Sequence, residues 1–306
     1  MSEPFYSFNR YLQELFGERV HRIPIDAGFS CPNIDGYSNR NGCIYCNNKG
    51  FVVHDSRGKG ITQQIEESIV FYKKRLGVRK FIAYFQAFTN TYADVTTLQK
   101  TYDIIKVFPQ IVGLCIATRP DCIDNEKIKL IAEYKKDYLV WMEYGLQTTH
   151  DRLLKICNRN HCYEDFITAL RLTRSYDIAS GVHIIIGLPT QTYQECMEDA
   201  MRLAQLDIQG IKFHVLHVLR ETQLETLYRQ QTVKLLEENE YVRMLCDFLE
   251  RIPPRKVILR LVSSASNEYL IAPLWMNGRH EIKAKVTDEF KKRKTYQGYL
   301  CNSVNS

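Results

Sequence analysis

The sequence predicts an α/β protein built on a parallel sheet, and three observations point there. Short β-rich runs alternate with segments of helical period, in six strand–helix units or close to it. The helical segments are about a dozen residues long, the crossover length that a parallel pair needs. The strand runs are nearly continuous in apolar residues, as at 182–188, the pattern of strands covered on both faces. A barrel, a partial barrel and an open doubly wound sheet all satisfy this pattern. Periodicity alone does not separate them.

Residues 20–27 read as the first strand, followed by a polar Gly/Asn/Cys loop up to Gly60. Ile65, Ile69, Tyr72 and Leu76 repeat at helical spacing over 61–76. Then come a strand at 80–85, a helix at 95–107, a strand at 111–118 and a helix at 125–135. A strand at 139–145, a helix at 163–176, a strand at 181–186, a helix at 193–206 and a strand at 211–218 complete the series. Beyond Leu219 the pattern changes to a charged helix at 235–252, stopped by Pro253-Pro254, one more strand at 257–262 and a basic tail. No internal repeat or low-complexity linker interrupts the chain.

The bulk properties bound the function. A chain of 306 residues, 45% hydrophobic, suffices for one large barrel or a barrel with a short appendage. The net charge of +6 permits an acidic partner such as RNA without requiring one. Residues 279–294 concentrate seven bases (Arg279, Lys283, Lys285, Lys291, Lys292, Arg293, Lys294) against three acids. That tail reads equally as a solvated helix face or a phosphate-contacting surface. No apolar signal core opens the chain and no run of about 18 apolar residues crosses a membrane, so a cytoplasmic protein without a membrane partner is expected. In that reducing compartment the ten cysteines are not a disulfide scaffold; clustered ones read as metal ligands or catalytic groups.

The cluster is Cys31, Cys43 and Cys46, spaced C-x11-C-x2-C directly after the first strand. Three thiolates are one short of a structural zinc site, for which His54 is the candidate fourth ligand. A [4Fe–4S] cluster held by three cysteines leaves one iron open to a small molecule. Cys115 and Cys196 lie in a strand and a helix, where buried small hydrophobes are the default. Cys157 and Cys162 flank a charged segment and are read as non-catalytic.

At this loop the sequence resembles the radical S-adenosylmethionine (SAM) superfamily. It is most similar to a bacterial subfamily with a wide first cysteine gap and the start Asp26-Ala-Gly-Phe-Ser-Cys31-Pro-Asn-Ile-Asp-Gly36. Thr118-Arg119-Pro120-Asp121 resembles the Elongator catalytic subunit, and oxygen-independent coproporphyrinogen oxidase is more distantly similar. The resemblance implies a partial (β/α)6 TIM-like barrel over 20–262, an N-terminal segment 1–19 and a helical, basic C-terminal extension 263–306. It implies Cys31, Cys43 and Cys46 as ligands of a [4Fe–4S] cluster.

For SAM it implies Tyr45 near the adenine and Thr89, in Gln86-Ala-Phe-Thr89-Asn90, at the turn that meets the amino group. It also implies Gln147 of Glu143-Tyr-Gly-Leu-Gln147, Arg159 of Asn158-Arg159 at the SAM carboxylate, and His183 of His183-Ile-Ile-Ile-Gly187-Leu-Pro189. Bland readings compete: Gln147 as a turn cap, Arg159 paired with Asp151 or Glu164, and His183 as a satisfied core histidine.

The activity implied is reductive cleavage of SAM to a 5′-deoxyadenosyl radical, fed by an external flavodoxin- or ferredoxin-type donor. The substrate implied is the wobble uridine of tRNA, with a carboxymethylaminomethyl side chain converted to aminomethyl. Tyr296 and Tyr299 are compatible with RNA contact. No acetyltransferase-like domain follows the barrel and no second three-cysteine module precedes it, so acetyl-CoA chemistry and methylthiolation are not expected. A radical SAM enzyme of a small metabolite and a non-enzymatic metal-bearing RNA-binding scaffold are the alternatives. A monomer is the default expectation.

Overall fold

The computed structural model describes residues 3–36, 42–47 and 58–301. Seven strands form one parallel sheet: β1 (Val20–Ile25), β2 (Lys80–Phe85), β3 (Ile111–Thr118), β4 (Leu139–Gln147), β5 (Ala179–Ile186), β6 (Gly210–Val215) and β8 (Val257–Arg260), side by side in that order. The sheet curls into a half-barrel. Six crossovers are the predicted units. The seventh strand, β8, is the run read at 257–262, and it adds to the far edge beside β6.

Helices cover the convex face: α2 (Ile61–Leu76), α3 (Val95–Asp103), α4 (Asn125–Glu133), α6 (Tyr163–Ser175), α7 (Tyr193–Gln205) and α9 (Glu238–Glu250). Strand alternation assigns the two faces. Phe81, Ala83 and Phe85, with Val182, Ile184 and Ile186, join the helices in the main core. The opposite parity, including Ile82, Tyr84, Cys115, Trp141 and Leu259, lines the concave side.

That concave side is layered. Its floor is apolar and closed by α1 (Phe8–Phe16), whose Phe8 meets Trp141 edge-on at 5.5 Å. Room for the Trp141 ring depends on Gly210, where a Cβ would lie 2.9 Å from Cζ3. Two residues further along the strands the layer turns polar: Arg22, Tyr84, Cys115, Glu143, His183 and Lys212. The strands' C-terminal ends then open on a cavity.

Several departures from the expected elements have local causes. α1 lies in the segment read only as 1–19, capped by Ser7 and ended by left-handed Gly17. The helix read at 95–107 tightens to 3-10 form at Ile104–Val107. The run read as one strand over 211–218 breaks after Val215, and β7 (Val218–Leu219) pairs antiparallel with β9 (Leu270–Ala272). A short α5 (Asp151–Ile156) precedes the Asn158-Arg159 pair, and α8 (Gln223–Arg229) follows β7.

The tail forms α10 (Ile282–Arg293), which buries Ile282, Val286 and Phe290 in the main core. Its bases are largely answered by acids: Lys283 by Glu3, Lys285 by Glu238, Lys291 by Asp288, and Arg293 by Asp247, Glu250 and Glu289. Tyr296 and Tyr299 stay exposed as an edge-on pair at 5.6 Å. Among the described residues no helix is long and apolar enough to cross a membrane.

Candidate active site

Cys31, Cys43 and Cys46 all border the cavity at the strands' C-terminal ends, the face on which barrels of this kind carry their chemistry. Asn33 ties the two ends of the long cysteine gap together. Its carbonyl accepts from the Gly42 N–H (2.8 Å), and its Nδ2 donates to Asn158 O (2.7 Å) and Cys43 Sγ (3.4 Å). The turn after α5 clamps the same segment: Asn158 Nδ2 donates to Gly42 O (2.5 Å) and Ile44 N–H to Cys157 O (3.2 Å). Burial pushes the Cys46 thiol up, and the Cys43 and Cys31 sulfurs push it further.

Arg159 is buried and points its guanidinium at this site, not at Asp151 or Glu164. Nη1 donates to Cys43 Sγ (3.5 Å), Nη2 to Gly145 O (2.6 Å) and Nε to His161 Nε2 (2.9 Å). Burial opposes its charge, but the Cys43 and Tyr45 groups outweigh that and raise its pKa. His161 can accept because burial and then the Arg159 charge lower its pKa to about 2.

The remaining predicted residues border the same cavity: Tyr45, Thr89, Gln147 and His183. The Tyr45 hydroxyl and Thr89 Oγ1 are buried with no hydrogen-bond partner among the described residues. Such orphaned groups are unusual unless a ligand satisfies them. In the Gln86–Asn90 turn Phe88 takes a left-handed φ of 62°. Gln147 does the same at the end of β4 (φ 79°), where the β4–β5 register shifts. Side chains held in this sparsely populated region concentrate at functional sites. His183 donates Nε2–H to Glu143 (2.7 Å); burial lowers its pKa to about 4, so it is neutral and keeps Nδ1 as an acceptor.

Sequence reading missed the network beneath the cavity. Glu143, wholly buried, accepts from Arg22 (3.2 Å), Tyr84 (2.8 Å), His183 (2.7 Å), Lys212 (3.0 Å) and the Cys115 thiol (3.1 Å). Burial alone would raise its carboxyl; Lys212, His183 and Arg22 outweigh this and hold it well below the usual range. Lys212 also donates to the Tyr84 hydroxyl, and burial lowers its pKa to about 7. The available signal was a charge at a mid-strand position of an otherwise apolar run, as in Gly-Ile-Lys212-Phe-His214-Val. Cys115, read as a small hydrophobe, is a donor in this network.

The donor set fits an iron–sulfur cluster with SAM beside it. Three thiols, an arginine on one of them and two orphaned hydroxyls share one cavity whose described lining holds no Asp or Glu. No trio of His, Cys, Asp or Glu among the described residues gathers round a single ion. His54, the candidate fourth zinc ligand, lies outside the described residues.

A curled parallel half-barrel with a three-thiol loop after its first strand defines a class of cofactor-dependent barrels. The family model for the radical SAM superfamily matches residues 39–204, and that for the radical SAM C-terminal domain matches residues 208–292. The chain belongs to the radical SAM superfamily, whose members use a [4Fe–4S] cluster and SAM. It is 35% identical to YtqA of Bacillus subtilis over 298 residues, 96% of this chain and 92% of that one. It is 24% identical to a tRNA uridine(34) acetyltransferase of Methanocaldococcus infernus over 149 residues, 48% of this chain and 27% of that one. The solved structure of the archaeal Methanocaldococcus infernus Elp3 shares the fold, with a TM-score of 0.62 at 14% identity over 93% of this chain and 67% of that one.

Proposed function

We propose that this enzyme holds a [4Fe–4S] cluster through Cys31, Cys43 and Cys46 and modifies the wobble-uridine side chain of tRNA, taking carboxymethylaminomethyl to aminomethyl. Loss of a hydrogen atom and a further electron beside the nitrogen would leave an imine, which water hydrolyses to the amine and a two-carbon oxo acid. The carrying observation is that the three thiols share one cavity with Tyr45, Thr89, Gln147, Arg159 and His183. When bound, the cluster and SAM supply a one-electron reduction and a 5′-deoxyadenosyl radical able to take hydrogen from an unactivated carbon. Tyr45 would pack on the adenine. The free Thr89 hydroxyl would accept from the SAM ammonium. Arg159 would hold the SAM carboxylate while keeping its bond to Cys43, and Gln147 and His183 Nδ1 would orient the ribose. An external flavodoxin- or ferredoxin-type protein would deliver the electron.

The tRNA assignment is supported by the resemblance to a tRNA uridine(34) enzyme over half the chain and by the exposed tail tyrosines. It is tested by comparing tRNA nucleosides from a deletion strain and its parent, in a host without a redundant enzyme. Accumulated carboxymethylaminomethyl-uridine with loss of aminomethyl-derived nucleosides is expected. An unchanged wobble-uridine profile would remove the tRNA reading and leave the radical SAM one.

A second expectation concerns Gly145. A Cβ there would lie 2.6 Å from Arg159 Nη2 and 2.9 Å from Gln147 Nε2. Gly145→Ala should therefore displace the guanidinium and weaken SAM binding by about tenfold or more, the worth of a charge-assisted hydrogen bond. Iron content should stay that of the wild type. Calorimetric titration of SAM into both reconstituted proteins checks this, and equal affinities would clear Arg159 of the role.

A further inference from the structure

The edge strand β8 breaks register with its neighbour. Gly210 pairs with Val257 and Ile211 with Ile258, but Lys212 pairs with Arg260, so Leu259 is the extra residue of a bulge. Val257 and Leu259 both lie in the concave core while Ile258 joins the convex one. Strict alternation would send Arg260 to the helix-covered face. A bulge re-aims the side chain that follows it, and here it turns Arg260 to the cavity.

What Arg260 meets there is incomplete. Nη2 lies 3.0 Å from His214 Nδ1 and Nη1 is 3.4 Å from Ser264 Oγ, while Nε is buried without a hydrogen bond. Burial, then the Arg260 charge, hold His214 well below its ordinary pKa, so it stays a neutral acceptor for the guanidinium, and an imidazole offers no negative charge in either state. Of the other cations bordering the cavity, Arg119 pairs with Asp121 (2.7 Å) and Lys212 with Glu143 (3.0 Å), while Arg159 spends its guanidinium on Cys43 Sγ, Gly145 O and His161 Nε2. Arg260 forms no ion pair among the described residues. Arg260 is half-buried, with Nε sealed from water and the fork toward the cavity. A guanidinium so placed without an anion is partly desolvated for no return, and a ligand that supplies the anion offsets that cost.

We propose that Arg260, backed by His214, is the anion-binding subsite for the substrate, and that the anion is a carboxylate carried by the substrate's own side chain. The planar guanidinium fork matches a carboxylate in two parallel bonds. Its place inside the cavity suits a terminal group that reaches in, rather than a backbone phosphate running across the mouth. The assignment rests on the tRNA reading above, in which the uridine side chain ends in a carboxylate.

The test uses two anticodon stem-loop RNAs, one carrying carboxymethylaminomethyl-uridine and one its neutral carboxamide. Both are titrated into the full reconstituted protein and into Arg260→Gln. The wild type should bind the carboxylate RNA about tenfold more tightly than the carboxamide RNA, and Arg260→Gln should abolish that preference. Arg260→Lys keeps the charge but loses the fork, and repeats the comparison where glutamine is not tolerated in the fold; a reduced preference is expected. Thermal unfolding with N-methylglycine or inorganic phosphate supplies an RNA-independent arm.

If neither RNA binds the wild type but N-methylglycine stabilises it through Arg260, the subsite stands and the tRNA reading falls. If both RNAs bind alike to wild type and variant, the subsite falls and the tRNA reading stands. Stabilisation by phosphate through Arg260, with the two RNAs bound alike, overturns the carboxylate assignment in favour of a phosphate.

Discussion

Cys43→Ser is expected to abolish SAM cleavage with the fold intact. Cys43 is firmly placed: Arg159 Nη1 and Asn33 Nδ2 both donate to its sulfur, at 3.5 and 3.4 Å. Serine nearly preserves the volume and can keep both donors satisfied, so the loop should hold its shape. Its hydroxyl, however, does not ionise to a soft ligand for iron. Loss of partners beyond the direct ligands typically costs about 10–100-fold in a metal site, so loss of a ligand should exceed about a hundredfold. The variant should reconstitute with less iron, lose the visible iron–sulfur absorbance and form no detectable 5′-deoxyadenosine after reduction. Cys162→Ser is the control, because Cys162 is exposed at the start of α6 and should keep wild-type iron and product. Full iron and product in Cys43→Ser would remove Cys43 from the ligand set.

The strand–helix alternation and the cysteine spacing were legible in the sequence, and the resemblance singled out the other cavity residues. The C-x2-C pair after the first β-run, the positions of Gln147 and Arg159 on later units, and the strand–helix alternation all survive in the structure as one cavity. Two kinds of feature did not show. The first is register. Arg260 reaches the cavity only because Leu259 bulges out of the β6–β8 ladder, and no run of residue types announces a bulge without its partner strand. The second is long-range charge pairing. Arg22, Tyr84, Cys115, Glu143, His183 and Lys212 come from six strands and meet only when the sheet curls. Each alone reads as an oddity within an apolar run. Charge pairing also tempers the basic tail, read equally as a solvated face or a phosphate-contacting surface: Lys283, Lys285 and Arg293 pair with Glu3, Glu238 and Asp247 elsewhere in the fold.

That buried network supports the second large effect. Glu143→Ala should destabilise the protein by about 3–5 kcal/mol, the usual cost of removing one partner from a buried ion pair. Against a typical total of about 5–15 kcal/mol this approaches unfolding. The cost should depend on pH, for a reason visible in the partners. Arg22 cannot shed its charge, but it is partly exposed and retains a bond to Leu259 O (3.1 Å) and contacts with the Phe8 and Tyr84 rings. Lys212 is 3% exposed and would lose its carboxylate altogether.

Its folded pKa is about 7 with Glu143 present, because burial outweighs that attraction; without Glu143 it must fall further. The unfolded chain holds the same proton to about 10.4. Above its own Lys212 pKa each native protein binds fewer protons than the unfolded chain and gains stability with pH, but the variant begins at lower pH, so through the range up to about 7 it gains on the wild type. Urea unfolding at pH 6 and pH 9 should therefore show Glu143→Ala closer to wild type at the higher pH. Glu143→Gln, which keeps the side chain's shape and one acceptor oxygen, should lose less than the alanine variant at both. A Glu143→Ala penalty that is constant across this range would mean that Lys212 is not the group left stranded, and that the loss lies in packing around Trp141 and Gly181 instead.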